Sequence, residues 1–174
     1  MRRYNVMKWA VYAFSILLLA VFQMQAAFYP RIMDMTPLFL IPAVIAVAMF
    51  EGETAGGIFG VVAGLLWDSG TGRVFGFNAL FLMCTGIAIG LFVKFLLKST
   101  PLSSLLFTAA FTVTHEFITW FFFYYMTGKR DIVYAFFHIM LPTAGLTLVF
   151  ALPLYFLVRL INRRLTSQDS NVPV

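Results

Sequence analysis

The residues of this chain that could do chemistry are few. The first is the pair His115-Glu116, inside a long apolar run. Thr108, Thr112, His115 and Thr119 follow i, i+4, i+7, i+11 spacing, so on a helix they form one polar stripe, and Glu116 lies one residue round from it. An ionisable pair at that depth has two readings. It is a proton relay or ligand site, or it is a buried polar cluster that fixes helix packing or a contact to a partner helix. His138 falls in the next apolar run, but no metal-ligand spacing joins it to the pair. A second acid, Asp68, follows an apolar stretch and precedes a glycine-rich turn. It reads as turn chemistry, a pair with Arg73 or a contact to a partner protein. Glu51 and Glu53 read as a solvated turn. Cys84, the only cysteine, rules out an internal disulfide and any multi-cysteine metal site. The chain has no GxSxG, HExxH, Walker A or CxxC pattern, so no catalytic residue, cofactor site or metal site is assigned.

Whatever these residues do, a set of oily helices must position them. The composition is 61% hydrophobic and 11% charged. Ordinary soluble domains are about 45–50% apolar and about 25% charged, so this is an integral membrane protein. Its apolar runs lack sustained period-2 alternation, which indicates an all-α bundle and excludes a β-barrel. Six spans are expected, at 9–28, 37–50, 55–67, 75–97, 102–125 and 134–158. They form a single transmembrane domain over 1–165, followed by a polar tail at 166–174. The second and third segments are short. Either both cross the membrane or together they form a re-entrant hairpin. Pro37 suits a first helical position, and Pro42 should kink the helix one turn later. Residues 68–76 read as a loop. Trp9, Trp67 and the aromatic run 120–125 read as interfacial anchors.

Glycine punctuates the third segment. Gly56, Gly60 and Gly64 recur every four residues and share one helical face, and Gly86 and Gly90 make a second small-x-x-x-small pair. Glycine costs about 1 kcal/mol against alanine in a water-exposed helix, so a ladder of it implies close approach of another helix, within the chain or from a partner.

Lys and Arg set the orientation. With six spans, one side collects Arg2, Arg3, Lys8, Lys94, Lys98, Arg159, Arg163 and Arg164; the other has Arg31, Arg73, Lys129 and Arg130. The positive-inside rule then puts both termini in the cytoplasm. The net charge of +5 thus reports topology, and no nucleic-acid partner is inferred.

The segment from Thr36 to Leu80 resembles the MreD family of rod shape-determining membrane proteins. The matching positions are Pro37, Leu38, Gly52, Gly56, Gly60, Gly64, Leu65, Leu66, Asp68, Gly76, Ala79 and Leu80. The resemblance implies a non-enzymatic scaffold in the bacterial inner membrane with a fold similar to the S subunits of energy-coupling-factor vitamin transporters. It implies binding to an MreC-like membrane-anchored protein, and action with RodA, a class B penicillin-binding transpeptidase and the MreB filament in peptidoglycan synthesis. Pro37, Gly56, Gly60, Gly64, Asp68 and Gly76 would then serve helix packing or partner binding. His115 and Glu116 have no counterpart in the family motif and keep their reading as a buried polar cluster. The alternative is a vitamin-transporter S subunit or other small-molecule carrier, although the Ala-x-x-x-Ala pattern of such subunits is absent from the first helix. A third reading, an intramembrane enzyme, rests on His115 and Glu116 alone.

Overall fold

A computed structural model describes residues 2–24, 37–71, 75–96, 99–126 and 141–166. Arg31, Arg73, Lys129, Arg130, His138 and the tail after Thr166 lie outside the described residues, as does Lys98. Six helices make up the described chain: α1 (Arg2–Met24), α2 (Leu40–Glu51), α3 (Glu53–Thr71), α4 (Phe77–Phe95), α5 (Pro101–Trp120) and α6 (Leu141–Thr166). A π-helical turn, Phe121–Tyr125, prolongs α5 and closes with a bond from the Met126 N–H to the Phe121 carbonyl (3.1 Å). Among the described residues, three helices are long and apolar enough to cross a membrane: Met7–Met24, Phe77–Phe95 and Leu141–Arg164.

The short helix is the centre of the bundle. Every residue of α2 from Leu40 to Met49 is buried. That follows from its sequence, LIPAVIAVAMFE, which is apolar on all sides and has no face to give to water. Its proline does not kink it. The helix begins at Leu40, not Pro37, so Pro42 lies in the first turn, where a residue's N–H has no partner within the helix and its absence costs no helical bond. The buried start of α2 is instead capped from outside. Leu38 N–H donates to Thr147 Oγ1 of α6 and Leu40 N–H to Gln23 Oε1 of α1, each at 3.0 Å.

The expected short third segment is a full 19-residue helix. It runs through Asp68 to Thr71, where a loop was expected. Ser69 Oγ and Thr71 Oγ1 donate back to the Leu66 and Trp67 carbonyls, which holds the last turn together. Gly52, at φ +87°, makes the sharp corner between α2 and α3 that a side chain would resist.

The glycine ladder of α3 lies on α4. A methyl group built on Gly56 would come within 2.7 Å of the Gly86 carbonyl oxygen and 2.5 Å of Ala48 Cβ. One on Gly60 would collide with the Leu82 carbonyl, and one on Gly64 with the Ala79 backbone. In return, Gly86 meets the Gly56 backbone and Gly90 the Glu53 backbone. The two small-residue ladders therefore face each other, and the helices touch backbone to backbone. The short helix α2 reaches the ladder at Ala48, beside Gly56.

The polar contacts at one end of the bundle fix its topology. Lys8 near the start of α1 pairs with Glu51 at the end of α2, and Glu53 at the start of α3 with Lys94 at the end of α4. Ser99, just before α5, donates to the Met49 carbonyl (2.8 Å), and Asn162 near the end of α6 reaches Glu51. The six helices thus alternate up and down.

A candidate functional site: two acid-centred networks

Two carboxylates organise opposite ends of the bundle. At the end of α3, Asp68 is 3% exposed and accepts four hydrogen bonds. Oδ1 takes the Asn78 N–H (3.2 Å) and Asn78 Nδ2 (2.8 Å); Oδ2 takes the N–H groups of Gly76 (2.9 Å) and Ala79 (3.2 Å). An ionised carboxylate has about four lone-pair sites, and here each is used. Three of the four donors are backbone amides at the start of α4, so Asp68 caps that helix from the helix before it. The positive end of the α4 dipole stands where a cation would otherwise be needed. Gly76 makes this possible. At φ +96° it turns the chain into α4 in a left-handed conformation, and its own N–H is one of the donors.

Asn78 carries the network on to α5. Its Oδ1 lies 2.8 Å from His115 Nε2. Asp68 accepts only, so the Asn78 amide must turn its NH₂ toward Asp68 and its oxygen toward the histidine. The histidine must therefore hold its proton on Nε2. The His115 ring is 4% exposed and stacks on Trp67 (centroids 4.9 Å apart, planes at 29°), with Phe81 edge-on at 5.0 Å. Trp67 is thus a buried ring partner and not an interfacial anchor. Glu116 Oε1 is 3.7 Å from His115 Nδ1, within ion-pair range but beyond a hydrogen bond.

The structure therefore joins Asp68 and His115, which the sequence presented separately. The link is Asn78, which sequence reasoning missed. Its signal was there: a lone amide in the first turn of an apolar helix needs a polar partner.

At the other end, Glu51 gathers three helices. Lys8 Nζ lies 2.7 Å from Oε2, while Tyr12 Oη (2.9 Å) and Asn162 Nδ2 (2.6 Å) donate to Oε1. The Glu51 side chain is 8% exposed, so this acid is not in the solvated turn that was expected. Glu53 fits that expectation better; it is partly exposed and bridged to Lys94, whose ammonium holds its carboxyl below the usual glutamate value.

Beside Glu51, between α1 and α3, the surface opens into a groove of about 560 Å³ lined by Trp9, Ala13, Thr54, Ala55, Ile58 and Phe59. Trp9 stacks on Phe59 along it (5.8 Å, 17°). Among the described residues, no group of three or more His, Cys, Asp or Glu side chains is placed to hold a metal ion.

Among the described residues these features define an all-helical membrane protein in which two buried acids, Asp68 and Glu51, join helices. A family model described as rod shape-determining protein MreD matches residues 3–165, nearly the whole chain, and the protein belongs to the MreD family. No curated protein and no solved structure matches it. The family assigns it a role in rod shape determination.

Proposed function

We propose that this protein is a non-enzymatic scaffold of the bacterial cell-elongation machinery. It sits in the inner membrane with six spans and cytoplasmic termini, and it holds an MreC-like membrane-anchored partner through which RodA, a class B transpeptidase and the MreB filament are coupled to wall synthesis. The observation that supports the reading is the match of a rod shape-determining family model to residues 3–165. The buried acids Asp68 and Glu51 fit a structural role, since both are engaged in joining helices. The basic residues Lys8 and Lys94 lie at the end of the bundle shared by the start of α1 and the end of α6, which supports cytoplasmic termini.

The partner's single membrane helix docks in the groove between α1 and α3, where Ala13 and Ala55 leave room for another helix to approach. The test is co-purification with the MreC-like protein in mild detergent. Ala13 is exposed, so Ala13→Phe fills the groove without touching the core. The variant is expected to keep its melting temperature and lose the partner. Failure of the wild-type protein to retain the partner would sink the scaffold reading, and retention by Ala13→Phe would move the docking site elsewhere.

A further inference from the structure

The neighbours His115 and Glu116 stand in different surroundings. His115 is enclosed: Nε2 meets Asn78 Oδ1 at 2.8 Å, and the rings of Trp67, Phe77 and Phe81 pack on its imidazole. Glu116 opens on the flank of α5, with a side chain 15% exposed against 5% for His115. Its ion-pair contact runs from Oε1 to His115 Nδ1 at 3.7 Å, too long for a hydrogen bond, and among the described residues neither oxygen accepts one. Whatever the protonation of the ring, the second oxygen is without a donor. A carboxylate only accepts hydrogen bonds, and amides inside an α-helix are already taken by the carbonyls four residues back. Thr114, on the exposed side of the same helix, meets its own need by donating to the Ala110 carbonyl at 2.8 Å. Glu116 has no such recourse. It lies about 22 Å along the helix from Pro101, at a depth where an ionisable side chain is costly unless it meets a partner.

We propose that Glu116 is the docking point for a transmembrane helix of another membrane protein, one that carries a basic side chain at the same depth. The surface beside it suits a helix. Leu106, Ala110, Val113, Phe117 and Phe121 follow one another at three- and four-residue spacing and are all exposed, so they form one apolar strip along α5. Glu116 borders that strip. Ala109 and Ala110, about two turns nearer the helix start, leave room for a second backbone to come close. Charge selects the kind of partner: the acid needs N–H donors, and Lys or Arg supplies them with the opposite charge. A second copy of this chain has none to offer at that depth. The basic residues of its described helices lie within about two turns of the end where Lys8 meets Glu51. Ser99, just before α5, contacts Met49 at that same end, so Glu116 lies toward the other. α5 packs on α2 and α6, whereas the groove beside Glu51 lies between α1 and α3. The two surfaces are separate, and the α5 site does not depend on what occupies that groove.

Stability separates this role from an internal one. Purified Glu116→Gln is expected to melt within about 3 °C of the parent, since the side chain accepts no hydrogen bond in the bundle. A larger fall would make the acid a strut of the His115 network and overturn the proposal. In lipid bilayers, energy transfer then measures association of the labelled protein with two synthetic leucine-rich transmembrane peptides, one wholly apolar and one with a single arginine at the depth of Glu116. The arginine peptide is expected to bind about tenfold more tightly, and Glu116→Leu to abolish the preference. Equal binding of the two peptides, or a preference that survives Glu116→Leu, overturns it. In cells, a photo-crosslinking amino acid in place of Phe117 is expected to capture a helix with Lys or Arg inside its apolar stretch, and to lose it when Glu116→Leu is added. Capture of a helix without such a residue, capture of a second copy of this chain, or no capture at all overturns the proposal.

Discussion

Glu51 and Asp68 do opposite kinds of work at opposite ends of one bundle. Glu51 holds together side chains from helices far apart in the sequence, Tyr12 at a separation of 39 residues and Asn162 at 111. Its charge is balanced by a lysine ammonium. Asp68 bonds to groups 8–11 residues ahead, three of them backbone amides, and among the described residues no cation pairs with it. The first is a tertiary staple between side chains. The second is a cap on the next helix, and its charge is answered by a helix terminus. A staple made of side chains can be replaced by another pair of side chains. A cap on backbone amides cannot, because the donors remain whatever is substituted around them.

The largest effect is expected between the two ends. Gly60→Leu forces a branched side chain into the Leu82 carbonyl. Ordinary overpacking costs about 1–3 kcal/mol because side chains give way; here the neighbour is backbone that cannot rotate away, so the cost goes beyond that range and exceeds that of any other change considered below. The variant should fail to accumulate in membranes or melt far below the parent. Normal accumulation and melting would break the claim that α3 and α4 touch backbone to backbone.

Asp68→Ala comes next. It leaves four donors without their acceptor, and removing one partner from a buried charged network costs about 3–5 kcal/mol. Thermal unfolding in detergent measures it, and no single change at Asn78 should restore the loss.

Glu51→Ala should cost less, about 2–3 kcal/mol, because Lys8 is 15% exposed and can turn to solvent. The contrast sharpens in the double variant Lys8→Met, Glu51→Leu. An ion pair exchanged for apolar residues is often neutral, so stability should recover most of the way. A double variant as unstable as Glu51→Ala would show that the Tyr12 and Asn162 bonds, not the ion pair, hold that end.

The smallest effect belongs to Glu53. Its carboxyl titrates below the usual glutamate value because Lys94 bonds to it. The folded state therefore binds that proton less readily than the unfolded chain. The contribution is present above the ordinary glutamate pKa and is lost as pH falls through the lowered value. Glu53→Gln should flatten a slight acid-side loss of melting temperature, and high salt should erase the difference.

Much of this was legible in the residues. Composition required membrane helices, and the four-residue glycine period required a close neighbour. It did not say which. The answer lay in Gly86 and Gly90, a ladder of matching period in the next long helix. Asp68 is visible as an acid before a turn, open to turn chemistry, a pair with Arg73 or a partner contact; the amides it accepts from are not visible, because a sequence shows charges and does not show backbone amides. Glu51 was misread as solvated for a different reason. Its partners come from α1 and α6, and no local pattern announces a side chain 111 residues away. Pro42 was misread because the start of α2 was set at Pro37; moving it three residues turns a kink into a harmless first-turn proline.

The central claim is that Asp68 acts by holding α4 in place and not by chemistry of its own. Asp68→Ala can be placed in cells that depend on the gene, with rod shape, the amount of folded protein in the membrane and its melting temperature measured together. The account predicts that shape fails in step with folding, so that cells are rod-shaped to the extent that folded protein remains. A variant that accumulates and melts like the parent while the cells become round would contradict it.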